Sequence, residues 1–109
     1  MELNNLLQFI ALEDKRLRER YGNSGDNEKL VLARTVKMSE EMGELCNEVL
    51  IHCALQRKEK LDAADLDNLS AEFADVLITT LLLANSMSVD IKSALEHKIA
   101  KINARYIQP

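Results

Sequence analysis

The scarcity of turn-forming residues is the feature that most restricts what this chain can fold into. The 109 residues include three Gly and one Pro, and that proline, Pro109, is the last residue. Because Gly and Pro supply many of the backbone conformations of tight turns, so few of them predict few, long elements. Aromatic residues make up 4% of the sequence, while Leu, Ala, Glu and Lys are abundant, which favours helices over strands. The sequence predicts an all-α protein.

Length and charge limit the classes of partner. A chain of 109 residues is the size of one domain, so a single domain is expected over residues 1–109. The net charge of −4, without a Lys and Arg cluster, argues against nucleic-acid binding. The N-terminus lacks the features of a signal peptide, and the nearly apolar run at residues 73–84 is too short to span a bilayer. We expect a cytoplasmic protein that binds neither nucleic acid nor membrane.

Apolar residues recur at helical spacing in four stretches. These stretches are residues 4–20, 28–57, 69–86 and 91–106, with a loop at 21–26 and a segment at 62–68 that is either loop or a short helical turn. The candidate N-caps are Asp26 or Asn27 for the second helix and Ser88 or Asp90 for the fourth. The third helix is apolar nearly all round from Phe73 onward, as expected of a buried helix. This pattern predicts a four-helix, bundle-like domain with antiparallel second and third helices.

The same pattern bears on assembly and on the cysteines. Three helices around one buried helix leave apolar surface over, so two or more chains are expected to associate. Cys46 and Cys53 lie seven residues apart on the second helix. That spacing is about 10 Å along a helix axis, which prevents a disulfide between them. We interpret both as small buried side chains.

Carboxylates occupy positions where water is expected to be scarce. Glu41 and Glu44 lie three residues apart, so they project from neighbouring turns of one helical face, which Glu48 continues. Glu72 and Asp75 repeat this spacing in the third helix, where apolar residues flank Asp75. An unpaired carboxylate in an apolar interior costs several kcal/mol or takes up a proton. A compensating cation is therefore expected.

Two interpretations of these acids follow from the residues alone. In the first, Glu41, Glu44, Glu72 and Asp75 converge on a shared cation, for which their oxygens favour Mg²⁺ or Mn²⁺ over Zn²⁺. Their surplus charge would suit more than one ion, and such a site is typical of phosphoryl chemistry. In the second, the acids of the second helix form a solvated face and Asp75 pairs with a Lys or Arg of another helix.

Two motifs carry a resemblance to a known family. Residues 40–45, Glu-Glu-Met-Gly-Glu-Leu, and residues 72–77, Glu-Phe-Ala-Asp-Val-Leu, resemble the Glu-Glu-x-x-Glu and Glu-x-x-Asp signature of the MazG-type all-α nucleoside triphosphate pyrophosphohydrolases. Two short segments within residues 83–91 are similar to the family's helix-to-helix junction, and residues 98–106 resemble its basic, Tyr-ended final helix. The resemblance covers residues 30–106.

The resemblance implies a reaction and a set of residues. The reaction is Mg²⁺-dependent hydrolysis of a nucleoside triphosphate, or its deoxy form, to the monophosphate and pyrophosphate. The implied metal ligands are Glu41, Glu44, Glu72 and Asp75. A carboxylate would deprotonate the attacking water, with Glu41 and Glu40 as the catalytic candidates, although Glu40 points about 100° away from Glu41 on an ideal helix. The resemblance also implies dimers or tetramers whose site a neighbouring chain completes.

Candidate phosphate- or substrate-binding residues carry a positive charge or a side-chain amide. They are Lys37, Asn85, Lys98, Lys101 and Arg105. The basic residues of the last helix would equally complement the helix dipole, and Asn85 would equally serve as a cap. Many family members carry an Asn four residues after the equivalent of Lys98, where this chain has Ile102.

Other functions remain open on the sequence. One is a non-catalytic helical module that associates through its apolar stripes, and a nearer enzyme alternative is a phosphoribosyl-ATP pyrophosphohydrolase. A di-iron carboxylate bundle is set aside because it needs Glu-x-x-His pairs, and His52 and His97 both lack a Glu three residues before them.

Overall fold

The chain forms four helices in a computed structural model that describes residues 1–21, 25–58 and 63–107. The helices are α1 (Leu3–Tyr21), α2 (Asn27–Lys58), α3 (Ala63–Ser86) and α4 (Ile91–Ala104). The described residues contain no strand. The all-α, four-helix prediction is thereby confirmed.

The two longest helices pack against each other in antiparallel directions. Near the start of α2, Asn27 Nδ2 donates to the Ser86 carbonyl at the end of α3 over 3.1 Å. Further along α2, Glu41 lies beside Glu72 and Asp75, nearer the start of α3. Helix α1 packs on α3, whereas α4 has little contact with the other three helices. The α2–α3 pair is therefore the centre of the fold.

Aspartates cap two of the helices. The Lys29 amide donates to Asp26 Oδ1 over 3.1 Å at the start of α2. The Ser93 amide donates to Asp90 Oδ1 over 3.1 Å, and the Ser93 hydroxyl to Asp90 Oδ2 over 2.9 Å, at the start of α4. Each bond satisfies a donor or hydroxyl in the first helical turn. Of the candidate pairs of caps, the structure selects Asp26 and Asp90.

Ser88 ends α3 instead. Its φ of 56° is in the left-handed region, and the Val89 amide donates back to the Ala84 carbonyl over 3.0 Å. This is the Schellman arrangement, which closes a helix and turns the chain.

Helix α3 is longer than predicted and α4 is shorter. Helix α3 begins at Ala63 rather than at residue 69, because residues 63–68 contain Ala, Leu and acidic residues that suit a first helical turn. Helix α4 ends at Ala104, not at Tyr106. By length and composition alone, Leu66–Ser86 is long and apolar enough to cross a membrane, and 11% of this stretch is buried in the single chain. One such helix is weak evidence for a membrane span.

The apolar core of the single chain is small. Among the described residues, the buried apolar side chains are Ile10 and Leu82. The prediction that α3 is buried is wrong for the single chain, where Phe73 is 51% exposed and Leu77 is 61% exposed. The radius of gyration is 17.6 Å, against about 13 Å for a compact domain of this length. The molecule is open because α1 and α2 cover only part of α3.

Other predicted burial is also missing from the single chain. Cys46 and Cys53 are exposed free thiols, so their assignment as buried side chains is wrong in the single chain. The apolar stripe of α4 is exposed as well, with Ile99 at 55% and Leu95 at 43%. These residues have helical periodicity, but periodicity does not specify whether the covering surface belongs to the same chain.

Candidate metal centre

Three carboxylates from α2 and α3 meet at the middle of the helix pair. One oxygen each from Glu41, Glu72 and Asp75 lies within 4.8 Å of the others. Glu41 comes from α2, and the other two project from successive turns of α3, as their three-residue spacing dictates. We call these three residues the acidic cluster.

Two oxygens of the acidic cluster are buried without a partner. Glu41 is 8% exposed, and its Oε2 atom is buried and accepts no hydrogen bond. Glu72 Oε2 is buried and unpartnered in the same way. Buried polar atoms in proteins almost always have a partner, and each exception calls for an explanation. A bound cation is one such partner for a carboxylate oxygen, so the residues present fit a metal site.

Repulsion between acids supports the same interpretation. Burial, followed by the negative charges of Glu44, Asp75, Glu41 and Glu48, raises the pKa of the Glu72 carboxyl above its ordinary value. Burial and like charges both disfavour an ionised carboxyl, whereas a cation would favour it. The site therefore holds more negative charge than its own side chains neutralise.

Lys37 supplies part of the missing positive charge. Its Nζ lies 3.2 Å from Glu41 Oε1 and 3.8 Å from Glu40 Oε2. The hydrogen bond and charge of Glu41, with smaller contributions from Glu40 and Glu44, raise the pKa of the Lys37 ammonium. Lys37 is bound to the Glu41 oxygen that does have a partner, so the unpartnered Oε2 remains available for another ligand.

The other predicted acids lie around the acidic cluster. Glu44 is exposed and Glu48 is half-buried on α2, and both act on the Glu72 pKa. Glu44 lies outside the group of three oxygens, so its predicted role as a metal ligand stays a prediction.

Asp75 is exposed, so the expectation of a dry site around it is wrong in the single chain. Glu40 is exposed, with Lys37 between it and Glu41.

Three of the predicted substrate-binding residues lie apart from the acidic cluster: Asn85, Lys98 and Lys101. Asn85 lines a groove formed with Leu7 and Ile10 of α1. It is ten residues from Asp75, or about 15 Å along α3. Lys98 and Lys101 are exposed on α4 and have no ion pair with the cluster among the described residues.

Arg105 is exposed immediately after α4 ends. Its predicted role, like those of Asn85, Lys98 and Lys101, stays a prediction.

Comparison with known proteins identifies the family of this fold and site. The profile of the MazG nucleotide pyrophosphohydrolase domain matches residues 34–108. This range contains the acidic cluster and most of the described chain. The chain belongs to the MazG nucleotide pyrophosphohydrolase family. The match confirms the resemblance of residues 30–106.

A curated relative supports this membership. YpjD of Bacillus subtilis (strain 168), described as an uncharacterized protein, is 32% identical to the chain over 74 residues. The alignment covers 68% of the chain and 65% of YpjD. No solved structure matches the chain significantly. As a MazG-family protein, the chain carries a nucleotide pyrophosphohydrolase domain over residues 34–108.

The carboxylate pattern alone does not single out one further residue near this MazG site. Arg34 is 7% exposed on α2, seven residues before Glu41 and on the same face. It contacts both α1 and α3. The seven-residue spacing from Glu41 is the sequence signal for this residue. It indicates a shared helical face, but it does not indicate a role until the helices that Arg34 contacts are known.

Proposed function

We propose that this MazG-family protein hydrolyses a nucleoside triphosphate, or its deoxy form, to the monophosphate and pyrophosphate. The observation that carries the proposal is the acidic cluster with its two buried, unpartnered oxygens. The carboxylate oxygens of an ordinary surface patch are exposed to water. Glu41 and Glu72, in contrast, each have one oxygen that is buried. Family membership supplies the class of reaction.

The ion that suits this donor set is Mg²⁺, with Mn²⁺ as a substitute. All three side chains of the acidic cluster offer carboxylate oxygens, which hard divalent cations prefer. Glu44 is the fourth proposed ligand, close enough for its charge to raise the pKa of Glu72. A bound cation would supply positive charge for the triphosphate oxygens and lower the pKa of the attacking water.

The chain's own residues then have distinct tasks. Water attacks the α-phosphorus, the bond from that phosphorus to the oxygen bridging the β-phosphorus breaks, and pyrophosphate leaves with the bonding electrons. The proton of the water passes to a carboxylate, for which Glu41 and Glu40 are the proposed bases. Lys37, held beside Glu41 at 3.2 Å, is proposed to contact a phosphate once substrate competes for it.

We also propose that the protein works as a dimer or tetramer. The open shape and the exposed apolar residues of α3 and α4 support this proposal, since monomers rarely leave so much apolar surface uncovered. A second chain would also bring residues to the acidic cluster that the single chain does not. Analytical ultracentrifugation tests this, and a stable monomer at micromolar concentration would contradict it.

Pyrophosphate release from a panel of ribo- and deoxynucleoside triphosphates tests the activity. The parent protein is compared with Glu44→Gln and Asp75→Asn, in Mg²⁺ and in EDTA. The matched control is Glu96→Gln, which removes the same charge from an exposed position on α4. We expect release to need Mg²⁺, to fall in both site variants and to be unchanged in the control. Equal rates in all four proteins would refute the site, and no release from any substrate would refute the function.

A further inference from the structure

Arg34 of α2 is a buried cation that contacts two other helices, α1 and α3. Its Nη1 atom lies 2.6 Å from Asp14 Oδ1 of α1 and donates to the Leu82 carbonyl of α3 over 3.1 Å. The Arg34 side chain is 8% exposed and that of Asp14 is 15% exposed. Asp14 also accepts from Arg18 Nε over 3.0 Å, so its carboxylate holds the guanidinium of Arg34 from the α1 side.

The contact of Arg34 with α3 stands in a fixed relation to the acidic cluster. Arg34 lies seven residues before Glu41 on α2, and Leu82 lies seven residues after Asp75 on α3. Because these helices are antiparallel, both intervals correspond to the same displacement of about 10 Å. The Arg34–Leu82 bond and the Glu41–Asp75 contact therefore belong to one register of α2 against α3.

We propose that Arg34 is a positioning residue, which fixes the register of α2 against α3 and thereby brings the carboxylates of the acidic cluster to one cation. This role rests on the metal site of the proposed function. It assigns Arg34 no contact with the metal or the substrate. Asp14 contributes to this positioning because its carboxylate binds the Arg34 guanidinium.

Few fully buried apolar side chains contribute to this register, since apolar residues such as Met38 and Leu45 of α2 and Val76 of α3 are only half-buried in the single chain. The described part of α2 has two buried residues whose side-chain burial can be described, Arg34 and Glu41, and neither is apolar. On α3 the buried apolar residue is Leu82. Half-buried side chains restrict the relative position of two helices less than close-packed, fully buried ones do. A hydrogen bond to one particular carbonyl specifies the position directly.

The size of a register error shows why such control matters. A slip by one helical turn moves Glu72 and Asp75 by about 5.4 Å relative to Glu41. That displacement exceeds the 4.8 Å within which the three oxygens now lie. Mg²⁺ requires oxygens at about 2.0–2.1 Å in near-ideal octahedral geometry. A single turn of slip would therefore remove one helix from the site.

A double variant separates positioning from stability. Asp14→Leu combined with Arg34→Met replaces the buried ion pair by apolar side chains, an exchange that is often neutral or stabilising. The variant keeps the packing but loses the bond to the Leu82 carbonyl. Mn²⁺ binding is measured by electron paramagnetic resonance of the free ion, with the helical content followed by circular dichroism. The control is Arg16→Met, which changes an α1 arginine whose side chain is 57% exposed.

We expect the double variant to bind Mn²⁺ about tenfold more weakly than the parent, in the range seen when residues that support metal ligands are removed. The Arg16→Met control should bind as the parent does. If the folded double variant binds Mn²⁺ as tightly as the parent does, the positioning role of Arg34 is overturned and the proposed metal site is not. No Mn²⁺ binding by the parent would overturn the proposed metal site as well.

Two single variants carry the test if the double variant does not fold. Arg34→Lys retains a cation whose ammonium can donate to both Asp14 and the Leu82 carbonyl, as Nη1 does alone. We expect it to bind Mn²⁺ nearly as the parent does, whereas Arg34→Gln should bind more weakly. Equal Mn²⁺ affinities of these two variants would overturn the proposal.

Discussion

Glu41 and Glu72 face each other from antiparallel helices, and each keeps one buried carboxylate oxygen without a hydrogen-bond partner. Burial of these two oxygens costs hydration, and no donor of the described chain forms a hydrogen bond with either of them. Such an arrangement destabilises the protein on its own and gains stability from any cation that enters. The two residues therefore connect the energetics of the fold with the proposed activity.

Divalent cations are expected to stabilise the protein. Since a metal that binds the folded chain and not the unfolded one shifts the unfolding equilibrium, Mg²⁺ at about 100 times its Kd should add about 2.7 kcal/mol. Thermal unfolding in Mg²⁺, in Mn²⁺ and in EDTA measures this. EDTA should reverse the increase in melting temperature. Identical melting temperatures in all three conditions would contradict a cation site at the acidic cluster.

Removing one charge of the acidic cluster should stabilise the metal-free protein. The pKa of Glu72 is raised by burial and by the surrounding acids, so its ionised form disfavours folding at neutral pH. Glu72→Gln is therefore expected to raise the melting temperature in EDTA and to reduce the further increase caused by Mg²⁺. The measurement is thermal unfolding of parent and variant in both conditions.

The control for this prediction is Glu96→Gln, which changes the net charge equally on the exposed surface of α4. It should leave the response to Mg²⁺ intact. A Glu72→Gln protein that is less stable in EDTA would mean that Glu72 has a stabilising partner, which would contradict the repulsion argument. The expected pattern, stability gained where metal response is lost, is common at functional sites.

The sequence predicts the local parts of this structure well. The four helices follow from helical periodicity and few turn residues, and Asp90 caps α4 because an acceptor at that position satisfies an amide of the first turn. The proximity of Glu41 to Glu72 and Asp75 also follows from the sequence. The acids of α2 and α3 are spaced three residues apart, and the two helices are predicted to pack antiparallel. These features depend on short intervals along the chain, which the sequence contains.

Features that depend on distant contacts could not be predicted. Arg34 donates to a carbonyl 48 residues away, and no local pattern indicates which helix will lie there. The apolar residues of α3, such as Phe73, were expected to be buried, yet they are exposed in the single chain. Periodicity measures how apolar a face is, not which chain covers it. The segment predicted as either loop or a short helical turn proves helical from Ala63, and its sequence, which contains no Gly or Pro, is compatible with both alternatives.

The ion pair of Asp14 should make stability depend on acid pH. Burial alone would raise the pKa of Asp14, but hydrogen bonds and charges from Arg34 and Arg18 outweigh burial and leave it below the ordinary value of 3.8. A carboxyl whose pKa is lower in the folded state stabilises the protein above its unfolded pKa, and this contribution is lost as the pH falls through the folded pKa.

Asp14→Asn tests this contribution. At neutral pH the variant should lose about 3 kcal/mol of unfolding free energy, because Arg34 becomes a buried charge without a counter-ion. The difference between parent and variant should shrink as the pH falls below about 4. Urea unfolding at several pH values measures it. The neighbouring Glu13→Gln, which disrupts a partly exposed 3.7 Å pair with Arg16, should change stability by less than about 1 kcal/mol. A pH-independent effect of Asp14→Asn would contradict the ion pair as the cause.

Replacement of Gly43 by Ala is expected to stabilise a single chain, but it would destabilise an assembly in which a second chain packs against Gly43. It lies inside α2 between Glu41 and Glu44, and an added Cβ would meet no atom within 4 Å in the single chain. Because Gly in a helix interior costs about 1 kcal/mol relative to Ala, Gly43→Ala should raise the unfolding free energy by about that amount. Urea unfolding at several protein concentrations measures the change. A destabilisation that grows with protein concentration would mean that a second chain fills the space above Gly43, since only an interface makes the cost depend on association.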